Sequence, residues 1–339
     1  MNAGTKAIDT AGFSAHLRSR ALEVDARRIL ITRLAGSDQE ADLTAPTNCG
    51  GFGRVRHFRS KTSNGWPSNP LPIVPACKAL GLQIPEMMEA QVFQNAACAW
   101  RCWYCFVPYD LLRADRRTSE WFTAGELVEL YVRETGAPPL IDLSGGSPDL
   151  VPEWVPWMMR ALMAEGLDRS TYLWSDDNLS TNYLFDTVTD ADRELMRSYP
   201  NYGRVCCFKG FDARSFAFNT RAAESDFDRQ FDIMRRVLDL GLDTYGYVTF
   251  TSPEADDVTD KMARFVDRLQ QLNPNLPLRM IPLEIREFSP VSARMDDQRR
   301  TSLNIQQHAI AAWNLELERR FDPALRASEI TAVPLQTRS

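Results

Sequence analysis

Three cysteines lie within eight residues of this chain, in the segment Cys98-Ala-Trp-Arg-Cys102-Trp-Tyr-Cys105. Soft thiolate ligands at this C-x3-C-x2-C spacing suit an iron–sulfur cluster or a zinc ion. No fourth cysteine follows nearby, so a cluster held here keeps one iron open to a ligand that is not protein. An open position is typical of catalytic metal sites, and four protein ligands are typical of structural ones. Two alternatives stay open: a zinc site completed by a distant Cys or His, and three cysteines without a metal.

Composition excludes several classes of protein. The chain has 339 residues, 44% hydrophobic and 25% charged, which is ordinary for a globular protein with a sizeable core. Its net charge of −6 argues against a general affinity for nucleic acid. No apolar run approaches the roughly 18 residues of a membrane span, and the N-terminus lacks the apolar core of a signal peptide. Seven cysteines, three of them clustered, indicate metal use in a reducing compartment, so we expect a cytoplasmic protein without a membrane partner.

The sequence pattern divides the chain into three segments. Residues 1–85 form an N-terminal extension, with a predicted helix at about 14–30 and an irregular stretch, rich in Gly, Pro and Asn, at 44–75. A stretch of that length is usually functional or a linker. Residues 86–290 alternate between strand and helix patterns and predict the core, and residues 291–339 predict a C-terminal helix and a tail.

Six strands are predicted in the core, at 90–95, 139–144, 170–174, 203–209, 243–250 and 278–285. Predicted helices follow them, at about 123–135, 152–165, 190–198, 224–240, 256–272 and 297–320, the first with a capping box at Thr123 and Glu126. This alternation predicts an α/β fold with a parallel sheet, and six strands fit a partial (β/α)6, TIM-like barrel. In such a barrel the loops after the strands form the active face, and the cysteine loop directly follows the first strand.

With Tyr104 just before the last cysteine, the motif resembles the signature of the radical S-adenosylmethionine (radical SAM) superfamily. The resemblance implies a partial barrel and a [4Fe–4S] cluster on Cys98, Cys102 and Cys105, whose open iron chelates S-adenosylmethionine. It implies reductive cleavage of the sulfonium to a 5′-deoxyadenosyl radical, with Tyr104 packed near the adenine. It also implies an electron donor such as flavodoxin or ferredoxin.

Paired glycines follow the second predicted strand, in the segment Ser-Gly145-Gly146-Ser147-Pro. A tight turn explains such a pair, and glycine also allows close backbone approach to a ligand. The radical SAM family has a Gly-Gly-Glu-Pro-like segment here that binds the methionine amino group, so the resemblance implies this role for Gly145, Gly146 and Ser147. Ser147 replaces the acid of that motif, which leaves Asp149 or backbone carbonyls to compensate.

Charged residues end the next two predicted strands. Aspartate is common in turns, which is one explanation for Asp176 at this position. The alternative is that its carboxylate binds a ribose hydroxyl or an ammonium group. Lys209 either extends to solvent or, at this end of a barrel, pairs with the methionine carboxylate of the cofactor. The segment around Lys209 is similar to the D-x-K motif of glycyl-radical-enzyme activating enzymes, with Cys207 where those have Asp.

A basic stretch lies in the N-terminal extension and contains Arg54, Arg56, His57, Arg59 and Lys61. A solvent-exposed loop explains this stretch, but the guanidinium groups of arginine also bind anionic substrates through two parallel hydrogen bonds. Trp66 and the prolines around it predict an ordered loop that forms a lid over the barrel mouth or a substrate-binding segment.

Together these features predict a radical SAM enzyme that acts on a small molecule or a peptide in a biosynthetic pathway. Two alternatives stay open. One is the activating enzyme of a glycyl-radical enzyme, and the other is a zinc- or iron-binding interaction protein without catalysis.

Overall fold

A computed structural model describes residues 7–62 and 67–335 of the chain. Trp66, which the sequence assigns to an ordered lid, falls outside the described residues. Within those residues the strands are β1 Leu22–Glu23, β2 Arg28–Thr32, β3 Gly53–Arg59, β4 Met87–Phe93, β5 Ser119–Thr123, β6 Leu140–Leu143, β7 Tyr172–Asp177, β8 Tyr202–Phe208, β9 Thr244–Val248 and β10 Met280–Pro282.

The α-helices of the same residues are α1 Thr10–Ala21, α2 Ile73–Leu80, α3 Ala124–Arg133, α4 Trp154–Ala164, α5 Tyr183–Asp186, α6 Asp190–Ser198, α7 Ala213–Thr220, α8 Arg229–Asp239, α9 Val258–Leu272, α10 Ser289–Ser292, α11 Asp297–Arg320 and α12 Pro323–Arg326. The predicted capping box forms at the start of α3, where Thr123 Oγ1 accepts a hydrogen bond from the Glu126 amide at 3.2 Å. In return, Glu126 Oε2 accepts one from the Thr123 amide at 2.7 Å.

Seven of the strands form one curled sheet in the order β10-β9-β8-β7-β6-β4-β3. Neighbouring strands from β4 to β10 pair in parallel, and β3 pairs antiparallel with β4. Because β3 and β10 lie at opposite edges, the sheet is open rather than a closed barrel. The structure therefore confirms the predicted α/β class with a partial-barrel sheet, and each predicted strand overlaps one of the parallel strands.

The stretch at 44–75 is more regular than the sequence predicts, because it contains β3 and the start of α2. Arg54 and Arg56 alternate with Val55 along β3, so the arginines share one face and the sequence shows no apolar stripe on that face. Strand β3 adds a seventh strand to the sheet from the N-terminal extension.

The predicted helix at 14–30 is wrong in its second half. Helix α1 ends at Ala21, and Arg27 adopts a left-handed φ of 50° in the turn between β1 and β2. These two strands pair antiparallel, and β2 also pairs with β5. Ile29, Leu30 and Ile31 are fully buried in β2, and branched apolar residues of this kind favour a strand.

The curled sheet has an apolar core on each face, because successive strand residues point to opposite sides. Ile141 and Phe208 face outward and belong to one large core with the helices α3, α4, α8, α9 and α11. Leu140 and Trp174 face inward and belong to a second core that contains the apolar side of α2. Helix α2 therefore fills the concave side near the amino ends of the strands, and the polar residues near the carboxyl ends face the interior.

None of the helices in residues 7–62 and 67–335 is both long enough and apolar enough to span a membrane.

Candidate functional site

The clustered cysteines lie on the loop that follows β4, at the carboxyl end of the parallel strands. Cys98 and Cys102 are buried, Cys105 is half-buried, and none of them forms a disulfide. Burial raises the pKa of Cys102 to about 12, and the nearby Lys209 ammonium opposes this increase. The thiol therefore keeps its proton at neutral pH until a metal, which binds the thiolate, displaces it.

Side chains hold the backbone of this loop at every clustered cysteine, because the carbonyl of each one accepts a hydrogen bond. The pairs are Arg101 Nη1 to Cys98 O at 2.7 Å, Tyr109 Oη to Cys102 O at 2.8 Å, and Arg294 Nη1 to Cys105 O at 2.6 Å. The guanidinium of Arg294, which precedes α11, also lies 3.7 Å from the centre of the Tyr109 ring. The loop is therefore fixed by two side chains of its own segment and by Arg294 from a distant part of the chain.

Asn219 ties the cysteine loop to the ends of β8 and β9. Its side-chain oxygen accepts hydrogen bonds from Trp103 Nε1 at 3.1 Å and from Thr251 Oγ1 at 2.7 Å. Its side-chain nitrogen donates to the carbonyls of Lys209 at 2.8 Å and Thr251 at 3.1 Å. Since Asn219 is completely buried, this network is shielded from water and holds three loops of the active face together.

The paired glycines occupy left-handed backbone conformations, with φ of 77° at Gly145 and 70° at Gly146. A Cβ at Gly145 would lie 2.6 Å from Gln94 Oε1. A Cβ at Gly146 would overlap the Asn95 carbonyl oxygen and lie 2.7 Å from the Ala97 carbonyl oxygen. Glycine is therefore required at both positions, because their turn packs closely against the segment that leads into the cysteine loop.

Ser147 connects the glycine turn to both neighbouring loops. Its hydroxyl lies 3.7 Å from Cys98 Sγ and accepts a hydrogen bond from Asn178 Nδ2 at 2.9 Å. Asp149 does not lie free beside it, because one oxygen of its carboxylate accepts hydrogen bonds from the amide (3.1 Å) and the hydroxyl of Ser180. The other oxygen, Oδ1, is buried without a partner.

Lys209 follows β8 and is 8% exposed, so its side chain does not extend into solvent. Burial acts to lower its pKa, but the thiols of Cys207, Cys102 and Cys98 and the carboxylate of Asp176 together raise it. Lys209 therefore keeps its charge and lies within electrostatic reach of both the cysteine loop and the strand β7.

Asp176 lies on the concave face, near the carboxyl end of β7. Burial, and then the Asp142 carboxylate, raise its pKa to about 7, while Arg56, Lys209 and Arg54 act in the opposite direction. The concave face therefore carries a group of opposite charges from four strands, above the apolar core that α2 fills.

Tyr104 reaches across the active face to the segment after β9, where its hydroxyl lies 3.1 Å from Thr249 Oγ1. Its side chain is buried, and its ring packs edge-on against Trp103, with 5.7 Å between the centroids. The cysteine loop consequently extends over the carboxyl ends of the strands rather than away from them.

The chemistry of the donor set fits an iron–sulfur cluster. The three thiols form no disulfide, belong to one loop, and are surrounded by the cationic side chains of Lys209, Arg101 and Arg294, which offset the negative charge that thiolates bring to a cluster. The fit is one of residue type and charge: within the part of the chain that the structure describes, neither these three cysteines nor any other three or more His, Cys, Asp or Glu side chains are arranged to hold a metal ion.

The structure brings most of the predicted residues to one end of the sheet. Cys98 contacts Ser147 directly, and Lys209 acts on all three thiols and on Asp176. Sequence reasoning misses Arg101, Tyr109, Asn219 and Arg294. Arg101 and Tyr109 lie in or beside the motif and carry a weak signal, whereas nothing in the sequence links Asn219 or Arg294 to the cysteines.

No protein-family model and no curated protein matches this chain. Among solved structures, it is similar to Streptococcus suis SuiB bound to S-adenosylmethionine, with 13% identity and a TM-score of 0.45 over 67% of this chain and 47% of SuiB. SuiB alone gives a TM-score of 0.44 at 13% identity, over 68% and 47% of the two chains. SuiB bound to precursor peptide SuiA gives 0.35 at 13% identity, over 52% and 36%. The chain thus spans less than half of SuiB, and similarity at this level establishes neither its fold nor its function.

Proposed function

We propose that this protein is a radical SAM enzyme that holds a [4Fe–4S] cluster on Cys98, Cys102 and Cys105 and binds S-adenosylmethionine beside it. The observation that carries the proposal is the position of three thiols without a disulfide on one loop at the carboxyl end of a parallel half-barrel, with the buried cation of Lys209 next to them. Loops at this end of a barrel form the active site in enzymes of related architecture.

When bound, the cluster and S-adenosylmethionine would supply one-electron cleavage of the sulfonium, which releases methionine and a 5′-deoxyadenosyl radical that takes a hydrogen atom from the substrate. The chain's own residues bind and orient. Lys209 neutralises the methionine carboxylate, since its ammonium is buried and charged. Tyr104 packs near the adenine, and the turn of Gly145, Gly146 and Ser147 forms the wall nearest the methionine.

We assign Asp176 to the ribose hydroxyls or to an ammonium group of a ligand in the barrel. The substrate, a small molecule or a peptide in a biosynthetic pathway, would occupy the concave face beneath the cysteine loop. Residues 86–290 would form the (β/α)6 core, residues 1–85 an extension that supplies a substrate-binding or lid segment, and residues 291–339 the C-terminal helix and tail. A small electron-transfer protein, flavodoxin or ferredoxin, would reduce the cluster.

Anaerobic reconstitution of the full chain tests the proposal. We expect about four irons per protein and the formation of 5′-deoxyadenosine from S-adenosylmethionine when a reductant is added. Cys102→Ala should lose both the iron and the product. Cys77→Ala, which changes a buried thiol of α2 in the inner core, is the matched control and should keep both.

Three results would contradict the proposal: full iron content in Cys102→Ala, a colourless protein with one zinc, or a loaded protein that produces no 5′-deoxyadenosine. The second of these would support the zinc-binding interaction protein. Activation of a glycyl-radical enzyme remains a second candidate within the same chemistry, and formation of a glycyl radical on a partner protein would support it.

A further inference from the structure

Arg54 presents an unpartnered guanidinium to the interior of the half-barrel. It lies on β3 with only 5% of its surface exposed. Its Nε and Nη2 atoms are buried and have no hydrogen-bond partner. These two nitrogens form one edge of the guanidinium, which is the edge that engages both oxygens of a carboxylate or phosphate in a bidentate pair.

The carboxylates of Asp142 and Asp176 attract the charge of Arg54, but neither accepts a hydrogen bond from its Nε or Nη2. Asp142, the nearest acid in the same face, accepts hydrogen bonds through Oδ2 from Arg56 Nη1 at 3.2 Å and from Ser144 at 3.0 Å. Its other oxygen is buried without a partner. Burial, and then repulsion from Arg56, lower the pKa of Arg54 to about 10, so the side chain still carries its charge at neutral pH.

A buried guanidinium edge without a hydrogen-bond partner is costly for the folded protein. The charge of Arg54 offsets part of the repulsion between Asp142 and Asp176, but this gives no reason to leave the edge of Nε and Nη2 unpaired. Each unpaired buried polar group in a native structure calls for an explanation, and a ligand that accepts both hydrogen bonds supplies one.

We propose that Arg54, with Arg56 beside it, binds an oxyanion of the substrate inside the half-barrel, so that the substrate carries a carboxylate or a phosphate. That the oxyanion belongs to the substrate rests on the proposed function, whereas the oxyanion site itself requires neither cluster nor cofactor. Phe106, which follows the last clustered cysteine, lies over the guanidinium with its ring centre 5.2 Å from Arg54 Cζ. The two nitrogens are closed to solvent, and the half-buried ring of Phe106 is the side chain that an entering oxyanion would have to displace.

The stability of the ligand-free chain gives the first test. Arg54→Gln removes the unpaired buried guanidinium edge and should raise the Tm by about 2–4 °C. Arg56→Gln breaks the pair with Asp142 and should lower it by a similar amount. Arg133→Gln, a change at a solvent-exposed ion pair of α3, is the control and should leave the Tm unchanged. A lower Tm for Arg54→Gln would show that Arg54 supports the fold, and would overturn the proposal.

The second test adds inorganic phosphate or succinate to the full chain at constant ionic strength, with sodium chloride as the reference. At ten times its Kd, either probe should raise the wild-type Tm by about 2–4 °C. The probe with the larger effect identifies the group as phosphate or carboxylate. Arg54→Gln should weaken binding by roughly 10- to 100-fold, and Arg133→Gln should not. Equal effects of both probes and chloride on the wild type would overturn the proposal.

A third measurement separates this site from that of the cofactor. The affinity of the reconstituted protein for S-adenosylmethionine should differ by less than about twofold between the wild type and Arg54→Gln, which is well below the loss expected for a charged contact. A tenfold loss would assign Arg54 to the cofactor and overturn the substrate site. If the protein takes up no cluster at all, the proposed function fails, while the first two tests still decide the oxyanion site.

Discussion

The cysteine loop and the basic end of the concave face differ in how completely their polar groups are paired. In the loop, Arg101, Tyr109 and Arg294 donate to the carbonyls of the three clustered cysteines. On the concave face, Arg54 Nε and Nη2 and Asp142 Oδ1 are buried without partners. The carbonyls of the clustered cysteines are paired before any ligand binds, whereas the concave face has two donors and one acceptor that are not paired.

The difference indicates two roles. A fully satisfied network is rigid and holds side chains in one geometry, as the ligands of a cluster require. A region with unpaired buried groups gains free energy when a ligand pairs them. We therefore expect changes in the loop to reduce the stability of the folded chain, and changes in the interior to act mainly on ligands or on pH dependence.

The largest effect on stability should come from Gly146→Ala. The alanine would have to adopt the left-handed conformation of Gly146, and its Cβ would overlap the Asn95 carbonyl oxygen. We therefore expect a loss of about 3–5 kcal/mol in the free energy of unfolding. Gly136→Ala is the matched control, because Gly136 has the same φ, 71°, but nothing lies within 4 Å of its Cβ position. It should lose only about 1–2 kcal/mol. Urea denaturation measures both, and equal losses would refute the packing role of Gly146.

Arg294→Leu should also destabilise the loop. It leaves the carbonyls of Cys105 and Val107 without their donor, and we expect a loss of about 2–4 kcal/mol in the free energy of unfolding, together with faster loss of iron from the reconstituted protein. Arg319→Leu, in the exposed part of α11, should change stability by less than about 0.5 kcal/mol. If both variants behaved alike, the loop would not depend on Arg294.

Lys209→Ala should weaken the binding of S-adenosylmethionine by about 1.5–3 kcal/mol, because a charged hydrogen bond to its carboxylate is lost. Equilibrium binding to the anaerobically reconstituted protein measures the effect. Lys261→Ala, at a half-buried ion pair on α9, serves as the control for removing a lysine. An unchanged affinity in Lys209→Ala would remove Lys209 from the cofactor site.

Asp176→Asn should change how stability depends on pH. The pKa of Asp176 is raised to about 7, so between about pH 4 and 7 the folded chain holds a proton that the unfolded chain releases. Stability of the wild type therefore falls as pH rises through this window. The groups that set the shift are Asp142, Arg56, Lys209 and Arg54, with Tyr247 and Cys207 also facing the carboxylate.

At pH 8 the Asp176→Asn variant should be more stable than the wild type by at least about 1.4 kcal/mol, and the gap should close below about pH 4. The exposed change Asp190→Asn should give no such profile. A constant difference between Asp176→Asn and the wild type at all pH values would show that the carboxylate does not titrate in this range.

Sequence reasoning succeeds where one segment holds the whole signal. The cysteine spacing, the glycine turn and the buried parallel strands are local patterns, and the structure has them at one end of the same sheet. It fails at β3, because the inward face of that strand carries Arg54 and Arg56 instead of apolar residues. It also fails at 22–30, where the predicted helix does not continue because Arg27 adopts a left-handed φ and the chain turns between two strands.

The support of the cysteine loop is the other part that the sequence does not reveal. Arg294 lies 189 residues from the carbonyl that it caps, and Asn219 lies 116 residues from Trp103. Arginine and asparagine are common surface residues, so only the fold shows that these two contact the cysteine loop.

The most direct measurement of the central claim is the electron paramagnetic resonance spectrum of the reduced, reconstituted protein with and without S-adenosylmethionine. If three thiolates leave one iron for the cofactor, adding it should change the g values and line shape, and Lys209→Ala should need more cofactor for the same change. Identical spectra at saturating S-adenosylmethionine would contradict the account.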